Sequence, residues 1–344
     1  MKQYLNTLFI TLEGAWLAKD GQAVDVRHDK ESKLRVPLHN LDGIVCLGWD
    51  ISASAQLMAA CAEAGVTLSF CSPHGKFLAA ATGFTSGNVL LRRQQYRCAD
   101  DLAASAAIAR NLVAAKIANS RTSLLRAVRD RPDTPGSHQL KTTAKWLGNR
   151  ISTVASETVL DTIRGIEGDS AAAYFNVFPL LLTPDDPALA MTGRSRRPPL
   201  DPVNALLSFL YALLGHDCRS ALAAAGLDPA VGFLHRDRPG RPSLALDLME
   251  ELRPVLADRT ALALLNRRQI DASDFETKES GAVYLKDNSR KKVLVEWQER
   301  KREELLHPFI QEKVAWGLVP HLQARLLARH LRGDLDAYPA FLWK

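Results

Sequence analysis

The sequence predicts an α+β protein, with a small N-terminal β-rich domain over residues 1–87 and a larger, mainly α-helical domain over residues 88–344. Three observations lead to this prediction. The first part alternates short β-branched and aromatic runs with turn residues. From about Asn88, helix-forming residues recur with apolar spacing near 3.6 and meet no Gly or Pro until Pro132. The chain has 344 residues, 47% of them hydrophobic, which is enough for a large core.

The N-terminal domain is predicted to begin with hairpins. The stretch "QYLNTLFITLEGAWLAKDGQAVDVRHD" is broken at positions 13–14 and 20–21 by acid-glycine pairs, which favour tight turns. "LDGIVCLG" predicts a further strand, and residues 52–64 predict one helix that ends at Gly65.

The second domain is predicted to hold several long helices separated by polar loops. The loops are "RPDTPGSH" and the Pro-rich "TPDDPALAMTGRSRRPPLDP". Near the C-terminus, "SGAVYLKDNSRKKVLVEWQERKREELLHPF" predicts a small basic hairpin that leads into another helix.

Composition indicates the state of the cysteines, the charge of the partner and the compartment of the protein. The five cysteines form no close-spaced metal pattern, so we expect reduced, buried thiols. A net charge of +6 favours a polyanionic partner. No apolar run approaches the roughly 20 residues that span a bilayer, and we expect a cytoplasmic protein with no membrane partner.

The stretch "GFLHRDRPGRPSLALDLMEELRP" links His235 to a short helix that we expect to end at Pro254. Asp247 and Glu250 are three apart and share a face of this helix. By itself the pattern is typical of a solvated acidic face balanced by nearby arginines. Together with His235, the same carboxylates form a mixed nitrogen and oxygen ligand set for a divalent metal.

A second acidic position is Glu167 in "TIRGIEGDSAAAYF", with Gly165 and Gly168 on either side inside a helical run. Each glycine costs about 1 kcal/mol relative to alanine in a helix interior, so something should offset it. Close helix packing and close approach of a ligand explain the glycines equally well at this point.

Two carboxylates and one imidazole can hold Mg²⁺ or Mn²⁺ with positions left for a phosphate oxygen and a nucleophile, and the imidazole favours Mn²⁺. Basic residues that could neutralise phosphates cluster around these candidates. The residues that we expect to bind DNA are Arg164, Arg196, Arg197, Arg238, Arg241, Lys291 and Lys292, and Arg194 and Arg236 belong to the same clusters. Each cluster alone is also typical of a solvated surface; four clusters beside candidate ligands indicate nucleic-acid chemistry.

Four motifs follow one another in order between residues 164 and 344: "RGIEGDSAAAYF", "RRPPLDPVNALLSFLYALL", "GFLHRDRPGRPSLALDLMEELRP" and "HPFIQEKVAWGLVPHLQARLLARHLRGDLDAYPAFLWK". In these motifs the sequence resembles the CRISPR-associated adaptation endonuclease and integrase, the first of the numbered Cas proteins, in the branch found with subtype I-C systems. The resemblance implies a dimerising N-terminal domain and a catalytic helical domain. It also implies the metal ligands Glu167, His235 and Glu250, with Asp247 as a supporting acid that could join or replace Glu250.

The resemblance further implies a function and partners. The family inserts short captured DNA into the CRISPR array by 3′-hydroxyl attack on phosphodiesters, and it cuts DNA with water as the attacking group. Its partners are double-stranded DNA, a second copy of itself and the small ferredoxin-like second numbered Cas protein. Two alternatives stay open: a DNA-binding scaffold without catalysis, and a covalent nucleophile at Tyr211, which its apolar context "LLSFLYALL" makes the weaker of the two.

Overall fold

The computed structural model describes residues 7–41, 43–75, 77–81, 89–183 and 186–343. The chain forms two compact units, Met1–Gly87 with Asp287–Glu303, and Asn88–Lys286 with Glu304–Lys344. The strands concentrate in the first unit and most of the helices in the second, so the predicted α+β class is confirmed. The predicted boundary between residues 87 and 88 lies outside the described residues.

The first unit contains two four-stranded sheets. Its elements are β1 (Thr7–Ile10), β2 (Trp16–Asp20), β3 (Ala23–His28), β4 (Glu31–Pro37), β5 (Gly43–Leu47), β6 (Ser52–Ala53), α1 (Ala55–Ala64), β7 (Thr67–Cys71), β8 (Phe77–Ala81) and the later helix α9 (Asp287–Arg302). One sheet has the order β1-β5-β7-β8, with β8 antiparallel to β7, and the other has the order β4-β3-β2-β6. Buried residues of both sheets and of α1 form one core.

Helix α1 ends where the sequence predicts, because Gly65 adopts a left-handed φ of 66° that closes the last turn. It begins later than predicted. Ser54 is the N-cap and accepts a hydrogen bond from the Leu57 backbone N–H, while the two residues before it form strand β6.

Helix α9 joins the first unit although the sequence assigned it to the second domain. Its apolar face, which includes Val293 and Trp297, is fully buried. Gln298 and Lys301 approach Thr7 of β1, both at 3.3 Å. The chain therefore returns to the N-terminal unit to complete its packing.

The second unit is built around α3, which packs against α4, α5 and α7. Its elements are α2 (Val89–Asp100), α3 (Leu102–Asp130), α4 (Ser137–Ala155), α5 (Leu160–Val177), α6 (Pro202–Ala224), α7 (Ser243–Leu252), α8 (Asp258–Asn266), β9 (Phe275–Thr277), β10 (Val283–Leu285), β11 (Glu304–Leu306), β12 (Lys313–Ala315) and α10 (Val319–Leu331). Strands β9–β10 and β11–β12 form two small antiparallel pairs. Among the described helices none has the length and apolar character of a membrane span.

The prediction that α7 ends at Pro254 is wrong. A π-helical turn, Arg253–Ala257, carries the chain directly from α7 into α8. Proline has no N–H to donate, and it is tolerated in the first turn of a helical segment, where that donor has no partner within the helix. Such turns are frequent near functional sites, and this one directly follows the acidic helix.

Candidate active site

The His235 loop is fastened to α7 by the Asp247 carboxylate. One oxygen, Oδ2, accepts hydrogen bonds from the backbone N–H groups of Phe233 at 2.6 Å and Leu234 at 2.9 Å. The other, Oδ1, accepts one from the His235 N–H at 3.0 Å and lies 2.6 Å from His235 Nδ1. A side chain at Gly232 would come within 2.8 Å of Asp247 Oδ2, so this close approach requires glycine.

This arrangement distinguishes the roles of the two acids. Asp247 is fully buried and both its oxygens are occupied by the loop, so it orients the imidazole. With a proton on Nδ1 facing the carboxylate, His235 has its Nε2 lone pair available for a ligand. That Nε2 lies 3.7 Å from Glu250 Oε1.

Glu250 is 1% exposed and lies among three cationic or ionisable groups. Arg253 Nη1 donates to Oε1 at 2.7 Å, and Lys116 Nζ lies 2.5 Å from Oε2. Burial raises the pKa of Glu250, but the charges of Arg253, Lys116 and His235 together outweigh it and lower the pKa below its usual value. Glu250 is therefore a buried carboxylate held in its ionised form.

Glu167 approaches the same group from α5. Lys116 on α3 forms an ion pair with Glu167 Oε1 as well as with Glu250, so three helices meet at one ammonium group. Glu167 has a quarter of its side chain exposed, and it is the acid through which solvent reaches the group. Cβ atoms placed at Gly165 and Gly168 would meet nothing within 4 Å, which favours ligand approach over close helix packing as the reason for these glycines.

The solvated-face interpretation of α7 is wrong, because Asp247, Glu250 and Glu251 are all buried. Glu251 faces the C-terminal segment. It accepts hydrogen bonds from the Tyr338 hydroxyl at 2.6 Å and the Phe341 N–H at 2.6 Å. Burial raises the pKa of Glu251 to about 7 despite these donors.

The same segment is tied to α3 close to Lys116. The Asn119 amide donates to the backbone oxygens of Glu251 at 2.7 Å and Phe341 at 2.9 Å, and its oxygen accepts from the Trp343 N–H at 2.8 Å. The C-terminal residues thus fasten α3 to α7, the two helices that carry Lys116 and Glu250.

The contacts of Tyr211 indicate a structural role and not a catalytic one. Its hydroxyl donates to Asp258 Oδ1 at 2.6 Å, and the guanidinium groups of Arg253 and Arg194 lie 5.0 Å and 5.2 Å from its ring centre. Burial raises the pKa of Tyr211 well above its usual value. A hydroxyl that resists ionisation is a poor nucleophile, so the geometry argues against the covalent alternative. The ring instead supports Arg253, which holds Glu250.

The predicted DNA-binding arginines differ in whether their guanidinium groups are already bound to other residues of the protein. Arg164 is committed within the protein: its Nε donates to the Leu234 carbonyl at 2.6 Å and its Nη1 to Asp161 at 2.7 Å. It thereby braces the backbone next to His235. Arg194 donates to Asn204 at 2.6 Å, in the interior.

Other predicted cations are exposed. Arg196, Arg197 and Arg238 have exposed side chains. Arg241 is half-buried, and burial followed by the charge of nearby Arg238 lowers its pKa, with Arg197 adding to the effect. Lys291 and Lys292 are exposed on α9 of the first unit.

The described part of the chain contains no set of three His, Cys, Asp or Glu side chains already spaced as a metal shell. Glu167 and Glu250 nevertheless share Lys116, and His235 Nε2 lies 3.7 Å from Glu250 Oε1. Glu250 Oε2 is buried and accepts no hydrogen bond, although Lys116 Nζ lies 2.5 Å away. In chemical type these donors fit Mg²⁺ or Mn²⁺.

Lys116 is a member of this charged group that the sequence interpretation missed. Its signal is a lysine on a buried helical face, since Leu112, Val113 and Ser120, three or four residues away, are buried. The cysteines, by contrast, are free as predicted, and all except the half-buried Cys98 are buried.

Comparison with known proteins gives consistent matches. The family model described as CRISPR associated protein Cas1 matches residues 8–299. The CRISPR-associated endonuclease Cas1 1 of Chlorobaculum tepidum is 52% identical over 344 residues, with all of both chains covered. The CRISPR-associated endonuclease Cas1 2 of Rhodospirillum rubrum is 53% identical over 348 residues, also with full coverage.

Solved structures share the fold at lower identity. A casposase bound to integration product matches with a TM-score of 0.84 and 22% identity over 98% of this chain and 94% of that one. A CAS1 protein from Thermotoga maritima matches with a TM-score of 0.79 and 19% identity over 98% of this chain and all of that one. At these identities the structural matches establish the fold alone.

Proposed function

The chain belongs to the CRISPR-associated Cas1 family, and on this basis we propose that it is a metal-dependent DNA endonuclease and integrase of CRISPR adaptation. In this role it cuts phosphodiesters with water and joins a DNA 3′-hydroxyl to a phosphate of the CRISPR array. Its full-length relatives carry the name endonuclease. Placement in the subtype I-C branch remains a prediction from the motifs.

The observation that carries the proposal is that Glu167 and Glu250 share the Lys116 ammonium while His235 Nε2 lies 3.7 Å from Glu250 Oε1, although the three residues come from separate segments. Glu250 is buried and ionised, His235 is fixed by Asp247 with Nε2 available, and Glu167 is reachable from solvent. A merely structural group of charges would not need a histidine oriented so that its unbound nitrogen faces a carboxylate.

In this proposal Glu167, His235 Nε2 and Glu250 hold a Mg²⁺ or Mn²⁺ ion. The bound ion would polarise the scissile phosphate and activate the attacking oxygen. Asp247 keeps the imidazole in the tautomer that leaves Nε2 unprotonated, and Arg253 keeps Glu250 ionised and in place. The exposed Arg197 and Arg238 neutralise DNA phosphates and so hold the substrate without reading its sequence.

The proposed partners are double-stranded DNA, a second copy of the chain and Cas2. One structural neighbour is described as a Cas6-RT-Cas1--Cas2 complex, which supports the Cas2 partner. A chromosomal array as substrate would place the protein in the cytoplasm. The first unit is the proposed dimerisation domain, with the metal site and Arg197 in the second.

The first test is joining of a short 3′-hydroxyl duplex into a supercoiled plasmid that carries a CRISPR repeat, with Cas2 present, in Mn²⁺ and in EDTA. We expect joining only with metal. Glu167→Ala should abolish cutting and joining while DNA affinity stays equal or rises, because a negative charge facing phosphate is lost. Tight DNA binding without joining in any metal would favour the scaffold alternative.

A second test addresses the orienting role of Asp247. Asp247 faces four hydrogen-bond donors, and Asp247→Asn replaces one of its two accepting oxygens with an amide NH₂ group that cannot accept. We therefore expect the cutting rate to fall about 10- to 100-fold. Asp237→Asn changes an exposed acid of the same loop and should leave the rate unchanged. Equal rates for both variants would show that Asp247 does not act through His235.

A further inference from the structure

Lys116 lies between the two carboxylates that the proposed function assigns to the metal. Its Nζ contacts Glu167 Oε1 and lies 2.5 Å from Glu250 Oε2. The lysine side chain is only 11% exposed, so water screens these contacts weakly. The ammonium offsets the repulsion between two carboxylates that α5 and α7 bring to the same point.

A divalent cation that used the same oxygens would need the same space. Magnesium lies about 2 Å from its oxygen ligands. An ammonium in contact with both carboxylates is too close to such an ion, and the two positive charges repel each other. Arg253 differs in this respect, because its contact is with the other oxygen of Glu250, Oε1, at 2.7 Å.

We propose that Lys116 is a built-in competitor of the metal ion: its ammonium holds Glu167 and Glu250 together, and a divalent cation must displace it from at least one of them. Lys116 is a positioning residue, since it acts through the two carboxylates. It keeps the acids paired before the ion binds, and it lowers the affinity of the site for the ion. The inference rests on the proposed function, because it requires Glu167 and Glu250 to be ligands.

The direct test is calorimetric titration of the full-length protein with MnCl₂, which needs no DNA and no activity. Lys116→Met removes the charge and keeps an unbranched apolar chain. We expect its Mn²⁺ dissociation constant to fall by on the order of tenfold, the size of a typical coupling between two ligands. Lys116→Arg keeps a cation beside the acids, so its affinity should stay near that of the wild type.

Thermal unfolding supplies a second readout. In EDTA, Lys116→Met should unfold at a lower temperature than the wild type, because Glu167 and Glu250 lose their shared counter-charge. Saturating Mn²⁺ should remove most of this difference. The matched control is Lys145→Met, which removes an exposed lysine of α4 and should change neither quantity.

The outcomes separate this inference from the proposed function. If Glu167→Gln abolishes Mn²⁺ binding but Lys116→Met binds Mn²⁺ no more tightly than the wild type, the competitor role is overturned and the metal site stands. If the wild type shows no Mn²⁺ binding that depends on Glu167, both fail. Should Lys116→Met not fold, Lys116→Gln takes its place with the same expected gain in affinity.

Discussion

Helices α7 and α9 are both dense in charge, but the fold buries all three acids of α7 and leaves most charged side chains of α9 at least partly exposed, with Arg290 and Lys301 as the buried exceptions. On α7, Asp247, Glu250 and Glu251 are all buried. On α9, Lys291 and Glu299 are exposed. A buried carboxylate is strongly unfavourable unless donors or cations surround it, whereas an exposed charge needs no partner.

The difference lies in what other segments bring to each helix. The carboxylates of α7 receive backbone N–H groups from the His235 loop, an ammonium from α3 and a hydroxyl from the C-terminal segment. Each acid thereby gains a separate role: one orients the imidazole, one faces the candidate metal position and one anchors the chain end. Buried charge in this protein therefore marks where distant segments are joined.

The largest expected effect comes from removing the anchor on α7. Glu251→Ala leaves the Tyr338 hydroxyl and the Phe341 N–H buried without an acceptor, so the free energy of unfolding should fall by about 3 kcal/mol. Glu299→Ala, on the exposed face of α9, should change it by less than about 0.5 kcal/mol. Urea unfolding of both variants checks the comparison, and equal losses would contradict it.

The sequence predicts well what depends on neighbours along the chain. Gly65 ends α1, and the motif from Gly232 to Glu250 already contains the histidine and both acids of one half of the site. The spacing of Glu250 from His235 is short enough for a loop and a helix to bring them together. The assignment of Glu250 as the third ligand came from the resemblance to a family. The sequence by itself indicated only that an acid on this helix could bind a divalent metal.

What the sequence could not predict depends on distant partners. The amphipathic pattern of α7 is the same whether its acids face water or a lysine from α3, so periodicity favoured the wrong environment. Lys116 is 134 residues from Glu250 in the chain, and Tyr338 is 87 residues from Glu251. The intervening sequence carries no signal of either contact. The prediction that Pro254 ends the helical path was wrong, because a π-helical turn allows this path to continue past the proline.

A smaller effect is the pH dependence that α7 confers. The pKa of Glu251 is raised from 4.5 to about 7 in the fold, so the folded chain holds this proton more tightly than the unfolded chain does. Unfolding then releases a proton between these values, and stability falls as pH rises from about 4.5 to 7, by about 3 kcal/mol when complete. Asp258, whose pKa rises from 3.8 to about 6, adds a loss of the same sign at lower pH.

Glu251→Gln cannot titrate, so its free energy of unfolding should fall less than that of the wild type between pH 5 and pH 8. Glu299→Gln should retain the full wild-type decrease. Urea unfolding at the two pH values gives both slopes. A Glu251→Gln slope equal to that of the wild type would mean that Glu251 does not hold its proton in the fold.

The smallest expected effect is on α9, where exposed charge should influence DNA binding and not stability. Lys291→Ala should weaken DNA binding and make the plot of log affinity against log salt less steep by about one unit, because one phosphate contact is lost. We expect the same result for Arg197→Ala in the second unit. Lys33→Ala is the control, because Lys33 is exposed but already paired with Glu31 at 2.6 Å. Fluorescence titrations at several salt concentrations measure the slopes. Unchanged slopes for both Lys291→Ala and Arg197→Ala would show that neither residue contacts DNA phosphates. The exposed charge of α9 would then have no role in DNA binding, in contrast to the role proposed for the buried acids of α7 at the metal site.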